Sequence, residues 1–208
     1  TLFMAGDYNL LEDVHQLALE LAGRTAEVTE EDRAGIYYRI GRAMNRRHKI
    51  AEGESNLRRA LDLIGTNPGT ENFRSAVLAQ LGANLVRAER YDDARELYRE
   101  SLSLATGIEN KALMGQALMG IAYVESKFNN LTEMLDACRK ERTIFEEVGD
   151  IPRLIEALTG IATTLMTLGD YPGAEANLDE ARSLAQPYRG RVRGLPYLMT
   201  TLGRVLTL

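Results

Sequence analysis

One short motif recurs along this chain at a nearly constant interval. Ile40-Gly41, Leu81-Gly82, Ile121-Ala122, Ile161-Ala162 and Leu202-Gly203 place their second residues 41, 40, 40 and 41 positions apart. A period of this size marks stacked supersecondary units, none of which can bury its apolar face alone. Any fold for this chain must therefore give equivalent surroundings to equivalent offsets from each anchor.

The offsets carry matching residue types. Four positions before the anchor stand Tyr37, Leu78, Leu118 and Leu158; three after it stand Met44, Leu85, Glu125 and Leu165. Nine after it come Ile50, Tyr91, Leu131 and Tyr171, and twelve after it Gly53, Ala94, Met134 and Ala174. Sixteen after it are Leu57, Tyr98, Cys138 and Leu178, and nineteen after it Ala60, Ser101, Glu141 and Ala181. Offsets −4, −1 and +3 share one helical face, and so do +9, +12, +16 and +19. The spacing predicts two amphipathic helices per unit, with small residues where the helices approach closely and bulky ones filling the space between them.

Turn chemistry falls between the predicted helices. Gly169-Asp170-Tyr171-Pro172 and Gly149-Asp150-Ile151-Pro152 each end one helix and start another, with the aspartate as N-cap and the proline in the first turn. Thr66-Asn67-Pro68-Gly69-Thr70 marks a further joint. Thr29-Glu30-Glu31-Asp32 reads as a helix start whose acids face the positive end of the dipole.

The pattern resembles the tetratricopeptide repeat. Its best copy is Leu78-Ala79-Gln80-Leu81-Gly82-Ala83-Asn84-Leu85 followed by Tyr91-Asp92-Asp93-Ala94, Tyr98 and Ser101, with Leu158 to Ala181 close behind. The resemblance implies an all-α fold: a right-handed α-solenoid of antiparallel helix pairs, about nine to ten helices long. It implies a single array over 1-208, with four full units at 29-69, 70-109, 110-149 and 150-189. Residues 1-28 read as the second helix of a truncated unit and 190-208 as the first helix of another, so the sequence is expected to be part of a longer protein. The 40- to 41-residue units are similar to the arrays of bacterial multidomain regulators, such as LuxR-type and ATP-dependent transcription activators and signalling cyclases.

Composition narrows the function. No apolar run reaches the roughly 18 residues of a membrane span, no leader peptide is visible, and a cytoplasmic location is expected. The net charge of −5 argues against bulk nucleic-acid binding. The single cysteine, Cys138, excludes an internal disulfide framework and falls in a core slot, where an inert buried thiol is expected. His15 and His48 lack the spaced partners of a metal site. There is no phosphate-binding Gly-rich loop, dinucleotide fingerprint or serine elbow. No enzyme, cofactor or metal is expected. Glu125 and Glu141 occupy slots that are apolar or small in the other units; they are expected either to face each other as an acid pair or to be neutralised by Arg139, Lys140 or Arg142.

The resemblance places a ligand on the concave face lined by the first helices. Carried over position by position, the candidate binding residues are Tyr38, Arg42, Asn45, Arg46, Arg87, Gln116, Met119, Tyr123 and Lys127. Cations and tyrosines without acids suit an anionic peptide or a free carboxylate. The expected function is a non-catalytic protein- or peptide-binding module of a bacterial signalling or transcription-regulatory protein. Partners could also be its own neighbouring domains. Alternatives are self-association through the array ends (Leu2, Phe3, Met4, Leu206, Leu208) and, less favoured, RNA binding. Two basic clusters, Arg46-Arg47-His48-Lys49 and Arg189-Gly190-Arg191-Val192-Arg193-Gly194, are read first as a helix end complementing its dipole and as a solvated loop, with phosphate or nucleic-acid contact the less favoured reading of the second.

Overall fold

The structure, a computed structural model, describes residues 28–186 together with Glu20. Among them are eight helices and no strand. They are α1 (Glu30–Arg46), α2 (Ile50–Ile64), α3 (Glu71–Arg87), α4 (Tyr91–Gly107), α5 (Lys111–Lys127), α6 (Leu131–Val148), α7 (Ile151–Leu168) and α8 (Tyr171–Ala185). The all-helical fold and the paired elements agree with the period. The helices expected before residue 28 and after residue 189, which made the count nine to ten, lie outside the described residues.

The chain divides into two compact units, one ending at Asn110 and one beginning at Lys111. In the first, α1 packs on α2, α3 on α4, and α3 also touches both α1 and α2. In the second, α5 packs on α6, α6 on α7 and α7 on α8.

Local sequence explains where the helices start. Thr29 and Asp32 form a reciprocal capping box, the Asp32 amide donating to Thr29 Oγ1 (3.1 Å) and the Thr29 amide to Asp32 Oδ2 (3.2 Å). Asp150 and Asp170 cap α7 and α8 as the sequence predicts, accepting from the Arg153 and Gly173 amides, with Pro152 and Pro172 in the first turns.

The ends follow one rule that the sequence shows only in part. In six turns a residue at the C-cap or just after it is left-handed: His48, Glu89, Glu109, Asn129, Gly149 and Gly169, with φ from 54° to 83°. In each, the next amide reaches back to a carbonyl five residues earlier, as from Lys49 to Met44 (3.0 Å) and from Arg90 to Leu85 (2.9 Å). This is the Schellman closure, which satisfies carbonyls the helix leaves open. Only two of the six positions hold glycine, so four turns store left-handed strain.

The core follows the slots. A Cβ on Gly41 would lie 2.7 Å from Leu57 Cγ, and one on Gly82 3.0 Å from Tyr98. The anchor glycines therefore exist to admit the side chain sixteen positions later. Buried serines lock α3 to α4: Ser75 Oγ donates to the Ser101 carbonyl (3.0 Å) and Ser101 Oγ to the Ser75 carbonyl (2.9 Å). No described helix is long and apolar enough to cross a membrane.

Candidate functional site: the outward faces of the first helices

Helical spacing sorts each first helix into a core face and an outward face. On α1 the outward stripe carries Tyr38, Arg39, Arg42 and Arg46. The three arginines are exposed and Tyr38 is half-buried. Tyr38 meets Phe73 of α3 edge-on, with ring centroids 5.5 Å apart and an interplanar angle of 88°. The Arg42 guanidinium sits 5.4 Å from the same ring. From Phe73 the stripe on α3 continues through Ala76, Gln80 and Ala83, all half-buried, to the exposed Arg87.

The charges on this face are unbalanced. Elsewhere in the first unit most arginines are paired: Arg58 and Arg90 with Glu54, Arg90 also with Asp93, Arg74 with Glu100 and Arg95 with Asp92, while Arg59 lies against the Tyr37 ring. Arg39, Arg42, Arg46 and Arg87 have no carboxylate partner among the described residues. Past the first turns, α1 and α3 hold no acid at all, whereas α4 alone carries Asp92, Asp93, Glu96 and Glu100. The sequence reading missed Arg39 because the carried-over groove offsets skip its position.

Asn45 is the correction. Its carbonyl oxygen accepts from Asn84 Nδ2, which also donates to the Ile50 carbonyl (3.0 Å), and it is 1% exposed. These amides tie α1 and α3 to the start of α2, and a Cβ on Gly53 would strike both of them. Asn45 therefore presents nothing to a ligand; its helical angle turns it from the arginine stripe towards the core.

In the second unit the outward stripe of α5 carries Gln116, Met119, Tyr123 and Lys127. Met119 is 43% and Tyr123 48% exposed, Gln116 is half-buried, and Lys127 Nζ lies 4.9 Å from the centre of the Tyr123 ring. Each unit thus offers an outward face on its first helix, cationic on α1 and apolar–aromatic on α5.

Both displaced acids are buried. Glu125 is 0% exposed and accepts from Asn130 Nδ2 (3.1 Å) across the α5–α6 turn. Glu141 is buried in α6, and burial, reinforced by the Glu156 charge and opposed by Arg153, pushes its carboxyl up to about 8. The cations expected to neutralise it are occupied or distant. Lys140 pairs with Asp136 (2.6 Å), Arg142 pairs with Glu180 (3.1 Å), and Arg139 is exposed. The charges that bear on Glu141 come from α7, which sequence offsets within one helix pair do not reach. Cys138 is buried beside it, its thiol pushed up to about 12 by burial and by the Glu141 charge, as suits an inert core sulfur. Among the described residues no three His, Cys, Asp or Glu side chains cluster as a metal site. His15, the Arg189–Arg193 cluster and the apolar residues at both termini lie outside the described residues; His48 is exposed in its turn.

Helix pairs closed by equivalent turns, with outward first-helix faces, define a helical-repeat protein of the kind that typically serves as a protein-interaction scaffold. Residues 32–107 match the family model described as tetratricopeptide repeat, and this segment is a tetratricopeptide-repeat region. The fold is shared with solved structures. BtubC (BKLC) from P. vanneervenii superposes with a TM-score of 0.82 at 16% identity, over 90% of this chain and 76% of that one. The Rap conjugation gene regulator of plasmid pLS20, solved with the Phr* peptide, gives 0.69 at 18% identity over 90% of this chain and 51% of its own. A STAND protein with a tetratricopeptide-repeat sensor from Pyrococcus horikoshii gives 0.67 at 15% identity over 88% and 27%. The chain spans about half of the Rap regulator and about a quarter of the STAND protein. No curated protein matches by sequence.

Proposed function

We propose that this chain is a non-catalytic, peptide- or protein-binding module whose ligand contacts the outward faces of its first helices. One observation carries the reading: in an acidic chain whose described arginines are otherwise largely paired, the exposed arginines of α1 and α3 have no carboxylate partner among the described residues. An unpaired cationic face draws an anionic partner, and arginine and tyrosine are the side chains most often dominant in binding. In the second unit, the exposed Met119 and Tyr123 on α5 supply an apolar contact area of their own. The Rap regulator bound to the Phr* peptide and the STAND sensor support this reading. By that analogy the module serves a larger signalling or transcription-regulatory protein of the cytoplasm.

The test is affinity capture with the wild-type chain and an Arg42→Glu/Arg46→Glu/Arg87→Glu variant, both shown to be folded by circular dichroism. Crosslinks from the captured partner should map to α1 and α3, and the variant should lose that partner. A partner retained by the variant, or crosslinks confined to the second helices, would refute the assignment of the face.

A further inference from the structure

The arginine stripe on α1 is more regular than a generic basic patch. Arg42 and Arg46 are four residues apart on one face, about 6 Å along the helix axis, and Arg39 lies one turn before them. In an extended peptide, alternate side chains point the same way and recur about 6.6 Å apart. Carboxylates two residues apart on a strand laid along α1 therefore meet Arg42 and Arg46 in register. Neighbouring carboxylates do not, because successive side chains face opposite sides.

The rest of the face fits such a strand. The nearest acids on α1 are Glu30, Glu31 and Asp32 in its first turn, at the opposite end from Arg46, and Asp32 is held by the Thr29 cap. On α3, Ala76 and Ala83 leave a shallow methyl-lined surface next to the Tyr38–Phe73 contact, which lets a backbone approach closely. Arg87 at the far end of α3 adds a cation that has no carboxylate partner among the described residues.

A nucleic-acid strand is a poorer match. Single strands are held by bases stacking on open aromatic faces as well as by phosphate contacts. The aromatic side chain on the α1 stripe is Tyr38, and its ring is engaged by Phe73 and Arg42.

We propose that the α1 face, read by Arg39, Arg42 and Arg46 beside the alanine surface of α3, selects an extended acidic peptide segment with carboxylates at alternate positions. This deepens the function proposed above and rests on it.

The experiment is fluorescence polarisation of the full chain with two labelled synthetic peptides of equal length and charge. One carries glutamates at alternating positions separated by threonine; the other carries the same glutamates consecutively. The alternating peptide should bind at least about five-fold tighter, and Arg42→Gln/Arg46→Gln should weaken it about five-fold or more and erase the preference. Arg58→Gln, on α2 and already paired with Glu54, should leave both affinities unchanged. Equal binding of the two peptides, no binding of either, or an unaffected double variant would overturn the inference. So would displacement of the peptide by single-stranded oligouridylate at lower concentration than by unlabelled peptide. If neither peptide binds while the captured partner is still lost by the charge-reversed variant, the α1–α3 face stands as the site and the alternating-carboxylate rule fails. If the captured partner is also retained, the proposed site fails with it.

Discussion

Replacing Glu141 with glutamine should stabilise the protein at neutral pH and remove part of its pH dependence. In the unfolded chain this carboxyl titrates near its ordinary 4.5, whereas in the folded protein it titrates near 8. Between those values the native state holds a proton that the unfolded state has released, so stability falls as pH rises through the window and levels off above about 8. Each pH unit is worth about 1.36 kcal/mol; pH 7 lies about 2.5 units above 4.5, so wild type gives up about 3 kcal/mol there, and about 5 kcal/mol above pH 8. Glutamine has the shape of the protonated acid and does not titrate. Urea denaturation of both proteins at about pH 5, 6, 7 and 8 should show curves that meet near the acid end and diverge towards the alkaline end. Glu156→Gln should move the wild-type window to lower pH, because the Glu156 charge helps to raise Glu141. Parallel stability–pH curves for wild type and Glu141→Gln would refute the reasoning, since the carboxylate would then be no worse solvated in the folded state than in the unfolded one.

Other consequences are simpler to check. Glu89→Gly relieves a left-handed residue in a Schellman turn and should raise the urea midpoint, by about 1 kcal/mol of stability. Gly41→Ala drives a methyl group to 2.7 Å from the fully buried Leu57 and should cost about 1–3 kcal/mol, whereas Gly35→Ala, with nothing within 4 Å, should gain about 1 kcal/mol in the same titration. Cys138 should resist a thiol reagent such as iodoacetamide in the native protein at pH 7 and react at once in denaturant.

How far the sequence can be read depends on whether a residue's surroundings lie within its own unit. The anchor glycines, the small residues at Gly53 and Ala94, the capping aspartates and the burial of Cys138 all follow from offsets inside one helix pair, and each is found as expected. Asn45 misled because its helical angle lies at the border between core and surface, and the partner that settles it, Asn84, is 39 residues away. The cations that spacing offers to Glu141 lie on its own helix, while the charges that bear on it, Glu156 and Arg153, come from the next one. Glycine marks only two of the six left-handed turns; His48, Glu89, Glu109 and Asn129 give no comparable signal. Unpaired arginines are only partly legible in the sequence: Arg58–Glu54 and Arg95–Asp92 fall at helical spacing, whereas Arg74–Glu100 joins residues from different helices.

The departures from the repeat are not spread evenly, and their location bears on function. The α5–α6 pair holds both buried acids, and α5 with its C-terminal turn exposes Met119, Tyr123 and Phe128. Burying a carboxyl and exposing large apolar side chains each oppose folding, and consistent sequences avoid such conflicts unless another requirement maintains them. The first unit departs differently. Its core slots are filled regularly, and its anomaly lies on the surface, in arginines without partners. Charge left unpaired on a helix surface costs little, so the α1 face can be kept for recognition without weakening the pair that carries it. The α5–α6 pair has no such separation: it carries the buried Glu125 and Glu141 as well as the exposed Met119 and Tyr123. A partner that binds only the folded pair and covers Met119 and Tyr123 would stabilise it by mass action, so occupancy there and stability of α5–α6 would be thermodynamically linked.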